Sequence, residues 1–283
     1  MPSIVKQSPI SKSKVKSGSV IDRIAPIGFD NDEGIKILLY GMSGSGKTTT
    51  WATFPKPILS IICSGGNKSG ELRSVNTPEN RKTISQVVLE SSSELKEIFA
   101  HQKTQKFATI VLDHATGLQD LVLKEVLGLD ELPAQLGWGV ATQQQYGTCT
   151  LQCKEYMRAL LGLDCNVVIV SQEREFKPNE EDSEVVQTNV GAALTPSLVR
   201  WLNPAVDYIC QTFKKPKEGK KKVTIGGKTT EQVVRLKGVD YCLRTGAHDL
   251  YTTKFRVPKG SKLPEYIIDP DYEKIMAVIN GEG

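Results

Sequence analysis

Residues 41–48 read Gly-Met-Ser-Gly-Ser-Gly-Lys-Thr, and this octapeptide restricts the possible folds more than any other stretch of the chain. The apolar run Ile35 to Tyr40 precedes it. A short helix-compatible run, Thr48 to Phe54, follows and is stopped by Pro55 and Pro57. A buried strand that turns through glycines into a helix belongs to a parallel, helix-covered sheet. The spacing G-x-x-x-x-G-K-[ST] is met in full and in the context it requires. Glycines let the backbone close around an oxyanion where Cβ atoms would obstruct it. The amides of residues 43–48 can then converge as an anion nest, with the positive end of the helix dipole behind them. Gly41, Met42, Ser43, Gly44, Ser45, Gly46, Lys47, Thr48 and Thr49 are therefore expected to bind the phosphates of ATP or a close relative. Lys47 should reach the β- and γ-phosphates from the solvent side, and the Thr48 hydroxyl should ligate Mg²⁺. The competing reading is a glycine-rich turn with no ligand.

Further strands and helices follow from the apolar pattern. Ile58 to Cys63, Ile84 to Glu90, Ala108 to Leu112, Asn166 to Val170 and Val206 to Phe213 read as strands. Ser92 to Gln102, Leu118 to Leu127, Val140 to Gly162, Leu198 to Leu202 and Tyr272 to Ile279 read as helices. The Val140 to Gly162 helix is expected to bury Tyr146, Leu151, Met157, Leu160 and Leu161. Residues 64–83, 128–139 and 173–189 read as loops. The expected architecture is α/β, a mostly parallel sheet covered by helices with a β-rich C-terminal extension. Its parts are a flexible basic arm at 1–33, a nucleotide-binding core at 34–213 and a basic extension at 214–283.

A phosphate loop of this kind works with a second acidic group. Asp113 ends the run Ala108-Thr109-Ile110-Val111-Leu112, so its strand delivers the carboxylate to the carboxyl edge of the sheet, where ligands bind in open α/β folds. Its expected role is Mg²⁺ coordination through water; the plain alternative is a cap on the next helix. His114 beside it reads as a hydrogen-bonded histidine rather than a ligand. Gln172 ends the next buried strand and is either a γ-phosphate sensor or a polar strand end. Lys47, Asp113 and Gln172 are the catalytic candidates. Glu71, Glu173 and Glu175 stand open as bases.

Charge is unevenly spread. The chain carries a net +4, yet the stretch from Cys210 to Glu265 holds fourteen Lys/Arg against five acids, a net +9. The remainder is then −5. This asymmetry points to a polyanion on one face. The run Lys214-Lys215-Pro216-Lys217-Glu218-Gly219-Lys220-Lys221-Lys222 reads as a hairpin tip or mobile loop that contacts nucleic-acid phosphates, or as a plain solvated run. Arg244, Lys254 and Arg256 are either surface charges or, in an oligomer, groups that reach a neighbour's γ-phosphate. Six cysteines sit mainly in apolar segments and read as packed thiols. No run of about 18 apolar residues is present, so no spanning helix is expected and the cytoplasm is the expected compartment.

Five segments together resemble a known group: Ile35 to Thr50, Thr109 to Leu118, Asn166 to Glu173, Leu194 to Asp207 and Arg244 to Pro258. The chain looks like the phage-type nucleotide-binding ATPases with a RecA-like core, including the single-strand annealing proteins of the Sak-four kind. That resemblance implies ATP and Mg²⁺, single-stranded DNA as partner, assembly into a ring or filament, and a role in phage recombination or replication. Asp113 matches the family's metal-holding acid, and Gln172 a polar residue ending its sensor strand. The chain departs at Ile61-Ile62-Cys63-Ser64-Gly65-Gly66, where the family tends to carry an acid. A nucleotide-dependent switch with a protein partner is the alternative function.

Overall fold

The computed structural model of the chain describes residues 34–63, 72–102, 106–129, 141–177, 188–225 and 228–282. The expected N-terminal arm and Glu71 lie outside the described residues, as do 64–71 of the expected loop at 64–83 and most of those at 128–139 and 173–189; the end of the first, Asn80–Thr83, is a short helix rather than loop.

The strands are β1 (Lys36–Gly41), β2 (Ile58–Ile62), β3 (Ile84–Val88), β4 (Thr109–Asp113), β5 (Asn166–Ser171), β6 (Glu173–Phe176), β7 (Asn189–Ala192), β8 (Tyr208–Ile225), β9 (Lys228–Arg244) and β10 (Tyr266–Ile268). The helices are α1 (Lys47–Trp51), α2 (Asn80–Thr83), α3 (Glu94–Gln102), α4 (Ala115–Leu127), α5 (Gln143–Leu161), α6 (Pro196–Ala205) and α7 (Tyr272–Ile279). Eight strands form one sheet in the order β10-β9-β8-β1-β5-β4-β2-β3. The six from β8 to β3 run parallel, while β9 and β10 each pair antiparallel to their neighbour. The architecture is thus an α/β fold with a mixed sheet flanked by helices.

Alternation along the strands assigns the two faces. Leu38 and Tyr40 of β1, Ile110 and Leu112 of β4, and Val167 and Ile169 of β5 join one apolar cluster with residues of α3, α4, α5 and α6. Ile37, Leu39, Val111, Val168 and Val170 join the other with Trp51 of α1 and Ile275 and Val278 of α7. Strands buried on both faces must be apolar throughout, which is why these runs are continuous in the sequence. Each fully buried aliphatic side chain contributes roughly 1.5–3 kcal/mol by leaving water.

Several expectations need correction. Helix α5 buries Cys149, Thr150, Cys153, Met157 and Leu160, whereas Leu151 is 69% exposed and Tyr146 lies at the surface. The i,i+4 cysteine pair, continued by Met157 and Leu160, marks the inward face. The first part of the expected loop at 173–189 is strand β6, paired antiparallel with β7. Its polar sequence fits a two-stranded sheet outside the main one. Tyr251 to Val257, whose alternation in the sequence reads as a strand, forms only two isolated bridges, Val190 to Tyr251 and Ile209 to Lys254.

The basic run is neither a hairpin tip nor a loop: Lys214 to Lys222 lies within β8, which runs unbroken from Tyr208 past position 213. With β9 it forms a long two-stranded ribbon, irregular only between Pro216 and Glu218.

Candidate functional site

Parallel register brings the site together. Leu39 pairs with Val170 and Tyr40 with Ser171, Leu112 with Ile169, and Ile62 with Asp113. The carboxyl ends of β1, β4 and β5 therefore open on one edge, with β5 between the loop strand and the acid strand. A cleft of about 850 Å³ lies there, lined among others by Ser43, Gly44, Lys47, Thr48, Asp113 and Gln172. The loop, the acid and the strand-end glutamine named from sequence thus share one cavity.

The loop is held by its own geometry. Gly46 has φ 100°, a left-handed conformation that favours glycine, and it caps α1. At Gly41 any Cβ would collide with the Thr212 carbonyl of β8. Ser45 is 4% exposed, and its hydroxyl hydrogen-bonds the Thr212 hydroxyl at 2.6 Å; Thr212 in turn donates to the Tyr40 carbonyl at 3.2 Å. Met42, Ser43 and Gly44 are exposed at the loop's outer edge.

Lys47 does not stand on the solvent side as expected. It is 8% exposed, and its Nζ donates to the carbonyls of Gly41 at 2.7 Å and Met42 at 2.9 Å. Burial pushes its pKa down, opposed by the charges of Asp113 and Glu173. The ammonium is folded against the loop it is expected to serve. The hydroxyls of Thr49 and Thr50 both turn back to the Gly46 carbonyl, at 2.8 and 2.9 Å. The Thr48 hydroxyl has no hydrogen-bond partner among the described residues, and its residue is half-buried in the cleft. The first amides of any helix also lack an intrahelical acceptor, so α1 adds donors beside it.

Asp113 is 7% exposed, and its Oδ2 accepts a hydrogen bond from Trp51 Nε1 at 3.2 Å. It does not cap α4; that task falls to His114, whose Nδ1 accepts from the Gly117 amide at 2.9 Å. Gln172 is half-buried, and its carbonyl accepts from the Ala193 amide at 2.8 Å. Among the candidate bases, Glu173 Oε2 accepts from Gln211 Nε2 at 3.1 Å and Glu175 pairs with Lys177 at 3.9 Å. Neither lines the cleft.

Arg244, Lys254 and Arg256 are each engaged within the chain. Arg244 is 8% exposed; it donates to Gln211 at 3.1 Å and Glu265 at 3.0 Å and lies over the rings of Phe213 and Tyr251. Lys254 Nζ donates to the carbonyls of Asn203, Pro204 and Val206 at the end of α6. Arg256 stands 3.6 Å from Asp207.

Sequence reasoning missed the opposite wall of the cleft: Ser74, Tyr241, Asp269, Pro270 and Asp271. Tyr241 packs toward Gly46, and the Asp269 amide donates to the Tyr241 carbonyl at 2.7 Å. Nothing local marks Tyr241, Asp269, Pro270 or Asp271, since β9 and the segment before α7 lie far from the loop in sequence, and Ser74 sits in a stretch without periodicity.

All six cysteines are buried and unbridged. No cluster of three His, Cys, Asp or Glu suited to a metal occurs among the described residues. No helix among them is long and apolar enough to cross a membrane.

Comparison with known proteins agrees with this geometry. No curated protein matches the chain at a significant level. Among solved structures, the chain is similar to a KaiC-like protein of the hyperthermophilic archaeon Pyrococcus horikoshii OT3, at 14% identity, 76% of this chain, 90% of that one and a TM-score of 0.37. That overlap is too loose to carry function. The family model described as an AAA domain matches residues 33–257, most of the chain and all of the loop, acid and strand-end residues above. With a phosphate loop, an acid and a polar strand end on one sheet edge, and that match across them, the chain belongs to the AAA domain family of nucleotide-binding ATPases.

Proposed function

We propose that the chain is a RecA-like ATPase that binds ATP with Mg²⁺ at Gly41–Thr48 and acts on single-stranded DNA, as a ring or filament of identical copies, in recombination or replication of the phage type. The observation that carries the nucleotide part is the shared cleft of Lys47, Thr48, Asp113 and Gln172. The loop amides and Lys47 hold the phosphates, the lysine exchanging its two loop carbonyls for phosphate oxygens. The Thr48 hydroxyl and the Asp113 carboxylate are hard oxygen donors of the kind Mg²⁺ takes alongside phosphate and water. Thr48 and Asp113 would hold the ion, which when bound would supply positive charge against the charge that develops on the phosphates. Gln172 orients the attacking water through its side-chain amide. Trp51 holds the Asp113 carboxylate in place through its indole N–H.

The DNA part rests on the ribbon. Lys214, Lys215, Lys217, Lys220, Arg235 and Lys237 lie along β8 and β9, against Glu218 and Asp240. Cations spread along both faces of a ribbon in this way suit a phosphate backbone without base preference. A protein partner is the second reading, because Val233, Leu236, Val239 and Tyr241 of β9 are 40–68% exposed. Large exposed apolar groups on one element mark a contact surface.

One assay separates them: ATP hydrolysis with and without single-stranded DNA, with particle size measured alongside. Stimulation by DNA that fades steeply between low and moderate salt supports the first reading. Absence of DNA binding at low salt with ATP and Mg²⁺ removes it and leaves the protein partner.

A further inference from the structure

We propose that Lys214 is a second phosphate-binding cation, delivered to the loop by β8 of the same chain. The inference rests on ATP binding at Gly41–Thr48. Strand β8 is fastened to the loop, since Thr212 pairs with Gly41 in register and its hydroxyl clasps Ser45. Lys214 lies two residues further along, on the same side of the strand as Thr212. Its Nζ is 3.5 Å from the point that a Cβ on Gly44 would occupy. The absence of that Cβ therefore leaves the ammonium directly beside the loop backbone.

The surroundings aim the charge at the loop. Lys214 lies opposite Tyr241 in the β8–β9 register and over its ring at 5.9 Å, and Tyr241 in turn packs on the Gly46 side of the loop. The neighbouring lysines are occupied: Lys215 faces Glu218 at 3.5 Å and Lys217 faces Asp240 at 3.9 Å. No carboxylate among the described residues pairs with Lys214. Lys47 sits within the loop, bonded to Gly41 and Met42, and Lys214 stands outside it against Gly44. An anion in the nest meets an ammonium from each side. This contact also links phosphate occupancy to the base of the ribbon, because Lys214 belongs to both.

The test is calorimetric titration of ATP and Mg²⁺ into the full chain as wild type, Lys214→Ala, Lys214→Arg, Lys47→Ala and Lys96→Ala. The last removes an exposed charge on α3. Lys214→Ala is expected to weaken ATP about tenfold, the scale of one charge-assisted hydrogen bond, with Lys214→Arg keeping most of the affinity and Lys96→Ala all of it. Wild-type affinity in Lys214→Ala, while Lys47→Ala loses ATP, overturns the inference and leaves the nucleotide site intact. An equal loss in Lys96→Ala, or a loss in Lys214→Arg as large as in Lys214→Ala, overturns it too, since neither tracks a local charge. No ATP uptake by the wild type overturns the nucleotide site itself, and the inference with it.

Discussion

Trp51 donates its indole N–H to the Asp113 carboxylate at 3.2 Å, across 62 residues of sequence. The helix that leaves the phosphate loop is thereby bonded directly to the acid at the end of β4. Trp51 is fully buried, so its end of the contact is shielded from water. The aromatic side chain four positions after Lys47 serves the site as well as the core.

This contact makes Asp113→Asn informative. The amide oxygen still accepts from Trp51, so the melting temperature should stay within a few degrees of wild type. ATP binding should survive in part, while Mg²⁺-dependent turnover falls by roughly a hundredfold through loss of the metal-facing charge. Steady-state hydrolysis beside a thermal melt checks both, and unchanged turnover removes Asp113 from the site.

Lys47→Ala should lower ATP affinity by about a hundredfold, the scale of two charge-assisted hydrogen bonds. The fold should persist, because truncation also relieves a buried charge. Equilibrium titration with circular dichroism alongside checks this; wild-type affinity contradicts the role given to the lysine.

Lys47 also sets a pH dependence in the nucleotide-free chain. Its pKa is lowered on folding, chiefly by burial, so between that lowered value and the ordinary 10.5 the unfolded chain binds the extra proton. Stability from this group is therefore least below the lowered pKa and rises as pH climbs toward 10.5. Denaturant unfolding across the alkaline range should show wild type gaining on Lys47→Met. Parallel curves would mean that the lysine is not desolvated.

Arg244→Ala should act on stability. The change leaves Gln211 and Glu265 without their donor and strips a cation from between two rings, a loss of about 2 kcal/mol. Glu265 is 65% exposed, so the ion pair itself adds little. Denaturant midpoints measure this. A stable variant that loses only oligomer-dependent hydrolysis would instead mark Arg244 as a group acting on a neighbour.

Thr212→Val keeps the shape of the side chain and removes the clasp on Ser45 and Tyr40. Stability should drop by about 1–2 kcal/mol, since the Ser45 hydroxyl stays buried without its partner. ATP affinity should drop with it, because the loop loses its tie to β8. Chemical denaturation and titration of one preparation report both.

The central sheet was legible because β1, β2, β4 and β5 are buried on both faces and so read as mainly apolar runs, with Ser60 the one polar residue at the centre of β2. The loop was legible because its chemistry needs glycines, a lysine and a threonine at fixed spacing. The ribbon was not. Pro216, Gly219 and Gly238 break the apolar pattern of β8 and β9 without breaking the strands, and many of their residues face water, so no alternation betrays a strand. Its pieces, Lys222 to Ile225, Val233 to Leu236 and Asp240 to Leu243, read in the sequence as separate short runs. The inward face of α5 was misjudged because small buried thiols outweigh a large exposed Leu151 there. Burial of Lys47 was hidden for another reason: its partners are backbone carbonyls, which leave no trace in the sequence.

The strand that clasps the loop is also the strand that departs as the ribbon. From Thr212 to Ile225 it covers 13 further residues, or roughly 40 Å of extended chain. A tilt of a few degrees at Thr212, if carried stiffly, would swing the far end by several ångströms. The hydroxyl pair at Ser45 and Thr212 thus sits where any tilt of the strand would have its root, at the phosphate loop itself.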